Sequence, residues 1–318
     1  MSEPFIRPDV ATFLDAAAQA GAPPLNELPV PVAREAFRSM TAGLDMPPLP
    51  LARVSDLMCP SPAGGIPVRL YDSKATRTTG PLILFFHGGG FVFGDLDSHD
   101  SFCRFLSNRS ELPVLAVDYR LAPEHPFPAF AEDAELVARW AATQPEALGL
   151  SFNGLITCGD SAGGHLAILV AQRLGTTAAE LPVLAQWAFY PFLGAGNDWP
   201  SMRAFGEGYL LTQNTMDWFD ALCGKPEGDA RYCLLQGPVP RTPLAIQTSG
   251  LDPLRDSGLT YYEKAKAAGA PVAWIEAEGM IHGYVNMRKA LPSAEQDIER
   301  LIRAGLNLAA AAQSVTAE

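Results

Sequence analysis

No stretch of this 318-residue chain reaches the roughly 18 consecutive apolar residues that a membrane-spanning helix requires. The amino-terminal MSEPFIRPDV places Glu3, Arg7 and Asp9 where a secretory signal would need an unbroken apolar run. Cysteine is scarce and odd in number. Cys59, Cys103, Cys158, Cys223 and Cys233 form no C-x-x-C pair, so neither a disulfide framework nor a structural zinc site is indicated. Basic residues are outnumbered, 23 Lys and Arg against 35 Asp and Glu, for a formal charge of −12, and no basic run is present to neutralise phosphates. The expectation is a soluble cytoplasmic protein that spans no membrane and binds no nucleic acid, and whose field admits small neutral molecules. Disorder is excluded, because 48% of the residues are hydrophobic, ample for a large core.

What is present is alternation. Short apolar runs at Pro81 to Phe86, Leu112 to Val117, Leu155 to Cys158, Val183 to Phe189, Leu244 to Thr248 and Val272 to Glu276 read as doubly buried strands. Between and after them, Pro128 to Thr143, Ala162 to Leu174, Asp256 to Ala268 and Ser293 to Ala312 carry helical patterns. Strand followed by helix followed by strand implies an α/β fold with a mostly parallel sheet flanked by helices. Arg53 to Met58 and Ile66 to Tyr71, joined by a turn-rich PSPAGG, add an antiparallel hairpin at the edge, for about eight strands in all. Two regions break the alternation and are expected to form a two-part helical cap, residues 1–48 and 194–240, over a core of residues 49–193 and 241–318.

Gly159-Asp160-Ser161-Ala162-Gly163 fits the G-x-S-x-G nucleophile elbow and lies where a strand should pass into a helix. His87-Gly88-Gly89-Gly90 follows the PLILFF strand, and at this glycine content such a string arises by chance in only about 0.003 chains of this length. Consecutive glycines let backbone N–H groups approach an oxyanion closely, so Gly88 and Gly89, with Ala162, are the expected oxyanion donors.

A serine nucleophile needs a base, and the chain has five histidines: His87, His99, His125, His165 and His282. The order Ser, acid, His leaves only the last two, and His165 lies four residues after Ser161 with no room for an acid between them. His282 is therefore the expected base, on a turn-like segment after the strand at Val272 to Glu276. Asp252 is the expected acid. Asp256 is the alternative, which could instead cap a helix, and Glu276 and Glu278 are weaker candidates. Asp160, Cys158 and the proline-rich Tyr119 to Pro128 segment are read as structural. Phe91, Tyr190, Phe205, Tyr209, Leu210, Met216, Trp218 and Phe219 are expected to line an apolar cleft under the cap.

Over roughly residues 66–290 the chain resembles the hormone-sensitive lipase family of α/β-hydrolases. The likeness rests on HGGGFVFGD (87–95), DYRLAPEHPFPA (118–129), GDSAGGHLA (159–167), FGEGYLLT (205–212), DPLRD (252–256) and HGY (282–284). It implies the α/β-hydrolase fold, the same triad and oxyanion donors, a two-part cap, no metal or organic cofactor, and frequently a homodimer, for which the edge strand at Val272 to Glu276 is the expected contact. Family members often carry Asn where this chain has His165. The function expected is a serine carboxylesterase acting on short- to medium-chain carboxylic esters as small-molecule substrates. An amidase or lactonase on the same triad and a non-catalytic ligand-binding member of the fold are the alternatives.

Overall fold

The computed structural model describes residues 4–194 and 198–316; residues 1–3, 195–197 and 317–318, which the expected cap and core ranges include, lie outside it. Eight strands, β1 (Arg53–Cys59), β2 (Ile66–Asp72), β3 (Gly80–Phe86), β4 (Val114–Val117), β5 (Phe152–Asp160), β6 (Val183–Phe189), β7 (Leu244–Leu251) and β8 (Val272–Ile281), form one sheet. Their order is β1-β2-β4-β3-β5-β6-β7-β8. The hairpin β1/β2 is antiparallel and β2 meets β4 antiparallel; every pairing from β4 to β8 is parallel. The helices are α1 (Pro8–Ala20), α2 (Val30–Leu44), α3 (Asp100–Ser110), α4 (Ala129–Ala142), α5 (Ala162–Thr176), α6 (Pro200–Phe205), α7 (Gln213–Cys223), α8 (Arg255–Ala267) and α9 (Ala294–Thr316).

The unbroken apolar runs follow from burial on both faces of the sheet. Along β3, Leu82, Leu84 and Phe86 enter one core while Ile83 and Phe85, pointing the other way, enter a second. Burying each such side chain contributes about 1.5–3 kcal/mol. The sequence patterns miss α3 and place some ends wrongly. β4 starts at Val114, after Pro113, which has no N–H for the ladder. β8 continues to Ile281 instead of ending at Glu276, because a register shift after Ser249 keeps it paired to β7. His282 therefore stands directly at the end of a strand. The carboxyl ends of β3, β5, β6, β7 and β8 bring His87, Ser161, Tyr190, Asp252 and His282 to one edge of the sheet.

The amino-terminal helices are tied down at several points. Arg7 pairs with Asp297 at 2.6 Å, and the buried Arg288 guanidinium grips the Asp45 carboxylate with two bonds of 2.8 Å. From α2, Arg34 donates to the carbonyls of Val92 and Ala122 at 2.8 Å, and Arg38 pairs with Asp95. Two arginines one turn apart on α2 thus hold the loop after β3.

Candidate active site

Between β5 and α5 the chain reverses at Ser161, whose φ of 53° and ψ of −117° leave the usual regions for a residue with a side chain. Such a conformation costs about 1–3 kcal/mol and persists only where the surroundings enforce it. Here the packing is close enough to do so. A Cβ on Gly163 would lie 1.8 Å from the Phe86 carbonyl oxygen, so only glycine lets α5 approach β3. The Ser161 N–H donates to the Phe189 carbonyl at 2.9 Å, and its carbonyl accepts from His165 and Phe192 N–H at 3.0 Å. These bonds hold both sides of the turn.

The Ser161 hydroxyl donates to His282 Nε2 at 2.8 Å, and His282 Nδ1 donates to Asp252 Oδ2 at 2.7 Å, the tautomer following from the bonding pattern. Asp252 is fully buried, and its other oxygen accepts the Leu254 N–H at 2.8 Å. Asp256 is excluded from this chain. It accepts the Ser201 N–H at 2.9 Å, capping α6, and pairs with Arg255. Glu276 and Glu278 make no bond to His282 among the described residues. Tyr190 packs its ring 4.7 Å from the His282 ring while its hydroxyl accepts the Val285 N–H at 3.3 Å, bracing the segment that carries the histidine.

One expected oxyanion donor needs correction. The Gly88 N–H is spent on Asp160 Oδ1 at 2.9 Å in a buried bond, so it is not available to a substrate. Gly89 and Gly90 N–H have no acceptor among the described residues. Ala162, first residue of α5, has no intrahelical partner for its N–H either. The glycine N–H groups left free are thus those of Gly89 and Gly90, one position on from the expected pair Gly88 and Gly89. Asp160 is structural, as its sequence context suggests, but its partner is 72 residues away rather than local. The Tyr119 hydroxyl donates to the His87 carbonyl at 2.6 Å, and its ring stacks on His87 at 4.3 Å, so the proline-rich segment braces this loop.

Burial pushes both His87 and His165 down to about 4. Each is neutral when folded but takes up a proton at its ordinary value near 6.5 once unfolded. Below that value the unfolded chain binds more protons, so stability falls on acidification from about 6.5 towards 4. At pH 5 the expected loss is about 2 kcal/mol per histidine relative to pH 8. A melting temperature flat across pH 4.5–6.5 would contradict this.

Two cavities meet at Ser161. The larger, about 660 Å³, also touches His282, Gly88, Gly89 and Gly90, and its far wall is α2, through Phe37, Met40, Thr41 and Leu44. The smaller, about 30 Å³, lies on the Ala162 side. Of the eight expected cleft residues, Leu210 lines the large cavity, Phe91 and Met216 the small one, and Phe219 both. The other four are elsewhere. Tyr190 braces His282; Phe205 packs on Tyr209 at 5.3 Å and under the Arg255 guanidinium; Trp218 packs on Phe93 at 5.6 Å. The α2 wall was missed, although Phe37, Met40, Thr41 and Leu44 show the i, i+3, i+4, i+7 spacing of one helix face. Phe192, Tyr232 and Leu254 in the small cavity carry no such signal. Among the described residues no cluster of three His, Cys, Asp or Glu side chains is arranged to hold a metal, and no helix is long and apolar enough to cross a membrane.

Residues 83–286 match the protein family described as having the alpha/beta hydrolase fold. Esterase LipI of Mycobacterium tuberculosis is 35% identical over 275 residues, 84% of this chain and 86% of that protein. The ethyl acetate hydrolase of Pseudomonas putida is 33% identical over 315 residues, 94% of this chain and 98% of that protein. Among solved structures, a thermostable esterase from Pseudomonas putida superposes with a TM-score of 0.89 at 26% identity, covering 98% of each chain. An ester hydrolase from the metagenome of Lake Arreo superposes with a TM-score of 0.87 at 33% identity, covering 96% of this chain and 99% of that one. Fold, motif order and relatives agree: the chain belongs to the hormone-sensitive lipase family of α/β-hydrolases and is a carboxylic ester hydrolase.

Proposed function

We propose that the enzyme hydrolyses short- to medium-chain carboxylic esters through a covalent acyl-enzyme on Ser161. The observation that carries this reading is the hydrogen-bonded chain Asp252–His282–Ser161, which ends beside the unspent N–H groups of Gly89, Gly90 and Ala162. His282 takes the Ser161 proton as Oγ attacks the ester carbonyl, and the tetrahedral oxyanion is held by those three N–H groups. Each such donor typically contributes about 3–4 kcal/mol to transition-state stabilisation. His282, now imidazolium and stabilised by Asp252, returns the proton to the leaving alcohol. Water then gives a proton to the same nitrogen as its oxygen attacks the acyl carbonyl, and when that intermediate collapses to the acid His282 returns the proton to Oγ, restoring the serine.

In this reading, residues 1–48 and 194–240 form the two parts of a cap over a core of residues 49–193 and 241–318. The enzyme works in a reducing cytoplasm, in keeping with its free cysteine thiols. Two copies pair through the exposed edge of β8, where Trp274 is 37% exposed. Light scattering that returns a monomer mass at micromolar concentration rejects the pairing. The reaction itself is tested by covalent trapping. An alkyl phosphonate fluoride should add one phosphonyl group per chain at Ser161, and the adduct should be lost in Ser161→Ala. Labelling that survives this substitution would refute the assignment.

A further inference from the structure

The two cavities stand in different relations to the reacting groups. Attack on an ester carbonyl at Ser161 places the oxyanion towards Gly89, Gly90 and Ala162, and places the leaving oxygen beside His282 Nε2, which must protonate it. The acyl substituent is left the direction away from His282. The 660 Å³ cavity includes His282; the 30 Å³ cavity includes Ser161 and Ala162 but not His282. The alcohol therefore belongs in the large cavity and the acyl chain in the small one. On the same measure the small space, at 30 Å³ against 660 Å³, holds only about two water-sized groups, so a short acyl chain fits it and a long one does not.

The floor of the small cavity rests on a residue that does not touch the reaction. His165 is fully buried one turn into α5, and its Nε2 lies 2.9 Å from the Arg231 carbonyl. Its ring stacks on Phe192 at 5.7 Å, meets Phe91 edge-on at 5.4 Å, and lies 6.3 Å from Tyr232. Phe91, Phe192 and Tyr232 are three of the side chains that wall the small cavity. Behind them the fully buried His165 ring, packed against all three and anchored by its hydrogen bond to the Arg231 carbonyl, backs the pocket wall.

We propose that His165 is a positioning residue that sets the depth of the acyl pocket, so that the enzyme takes acetyl-sized acyl groups joined to bulky alcohols. This rests on the acyl-enzyme reading above and narrows its substrate class. In a packed pocket one methylene changes the specificity constant by about 10–200-fold.

The test varies each side of the ester separately. With p-nitrophenol as the fixed alcohol, wild type should favour acetate over hexanoate in kcat/KM by more than about tenfold. With acetate fixed, enlarging the alcohol from ethanol to hexanol or 1-phenylethanol should change kcat/KM by far less. His165→Ala should raise the hexanoate-to-acetate ratio at least about tenfold, whereas His165→Phe, which keeps a ring in place, should hold the ratio near wild type. A change that merely loosens the fold would lower both substrates together and leave the ratio alone. Phe192→Ala opens the same pocket directly and decides the matter should His165→Ala fail to fold. A wild type that prefers hexanoate, or ratios unmoved in both folded alanine variants, overturns the proposal while leaving the serine mechanism standing. A wild type inert towards all these esters and unlabelled by the phosphonate overturns both.

Discussion

Ser161→Ala is expected to lower kcat for p-nitrophenyl acetate by about 10⁶-fold, the typical cost of removing the nucleophile from a cooperating triad. Without Oγ no acyl-enzyme forms, and water would have to attack directly across a site built around a covalent intermediate. The expected residue of catalysis, about 10³–10⁴ over the uncatalysed reaction, would come from the Gly89, Gly90 and Ala162 donors and from binding. The fold should survive, since the Ser161 side chain makes no bond that supports the elbow; the turn is held by backbone bonds from Phe189, His165 and Phe192. Steady-state rates with a matched circular dichroism spectrum check both parts. A folded variant within a hundredfold of wild type would mean that another group is the nucleophile.

Asp252→Asn should cost about 10⁴-fold in kcat, because an amide in place of the carboxylate removes the charge that stabilises imidazolium and can hold His282 in the wrong tautomer. The geometry would barely change, as the remaining oxygen can still accept from Leu254. Asp256→Asn is the control. Asp256 caps α6 through Ser201 and pairs with Arg255, so its loss should show in the melting temperature and leave kcat near wild type. The reverse pattern, with Asp256→Asn inactive and Asp252→Asn active, would transfer the role of acid.

The chemistry-bearing residues were legible because each is constrained by type as well as place. A serine between close-packed glycines, one histidine late enough in the chain, and an acid at a preceding strand end left few assignments, and Ser161, His282 and Asp252 meet at 2.8 and 2.7 Å. The sheet was legible for a similar reason: strands buried on both faces carry unbroken apolar runs. α3 escaped notice, with Phe102, Cys103, Phe105 and Leu106 buried on a helix that also carries six polar or charged residues after its first.

The oxyanion donors show where sequence stops. HGGG announces that backbone N–H groups will approach a substrate, but which two depends on where each N–H points. That direction is set by the Asp160 carboxylate, which captures Gly88 from the end of the neighbouring strand β5. The cleft is similar: eight aromatic and apolar residues near the expected cap were equally good candidates, and only four line a cavity. The order of motifs along the chain, with the apolar periodicity, determined the fold and the class of reaction and singled out Ser161 and His282 as proposed nucleophile and base, because these depend on residue type and local spacing. The tertiary structure alone placed Asp252 rather than Asp256 against His282, engaged the Gly88 N–H and left those of Gly89 and Gly90 free among the described residues, and made α2 a wall of the cleft. Those outcomes depend on contacts between segments tens to hundreds of residues apart, whose directions no local pattern encodes.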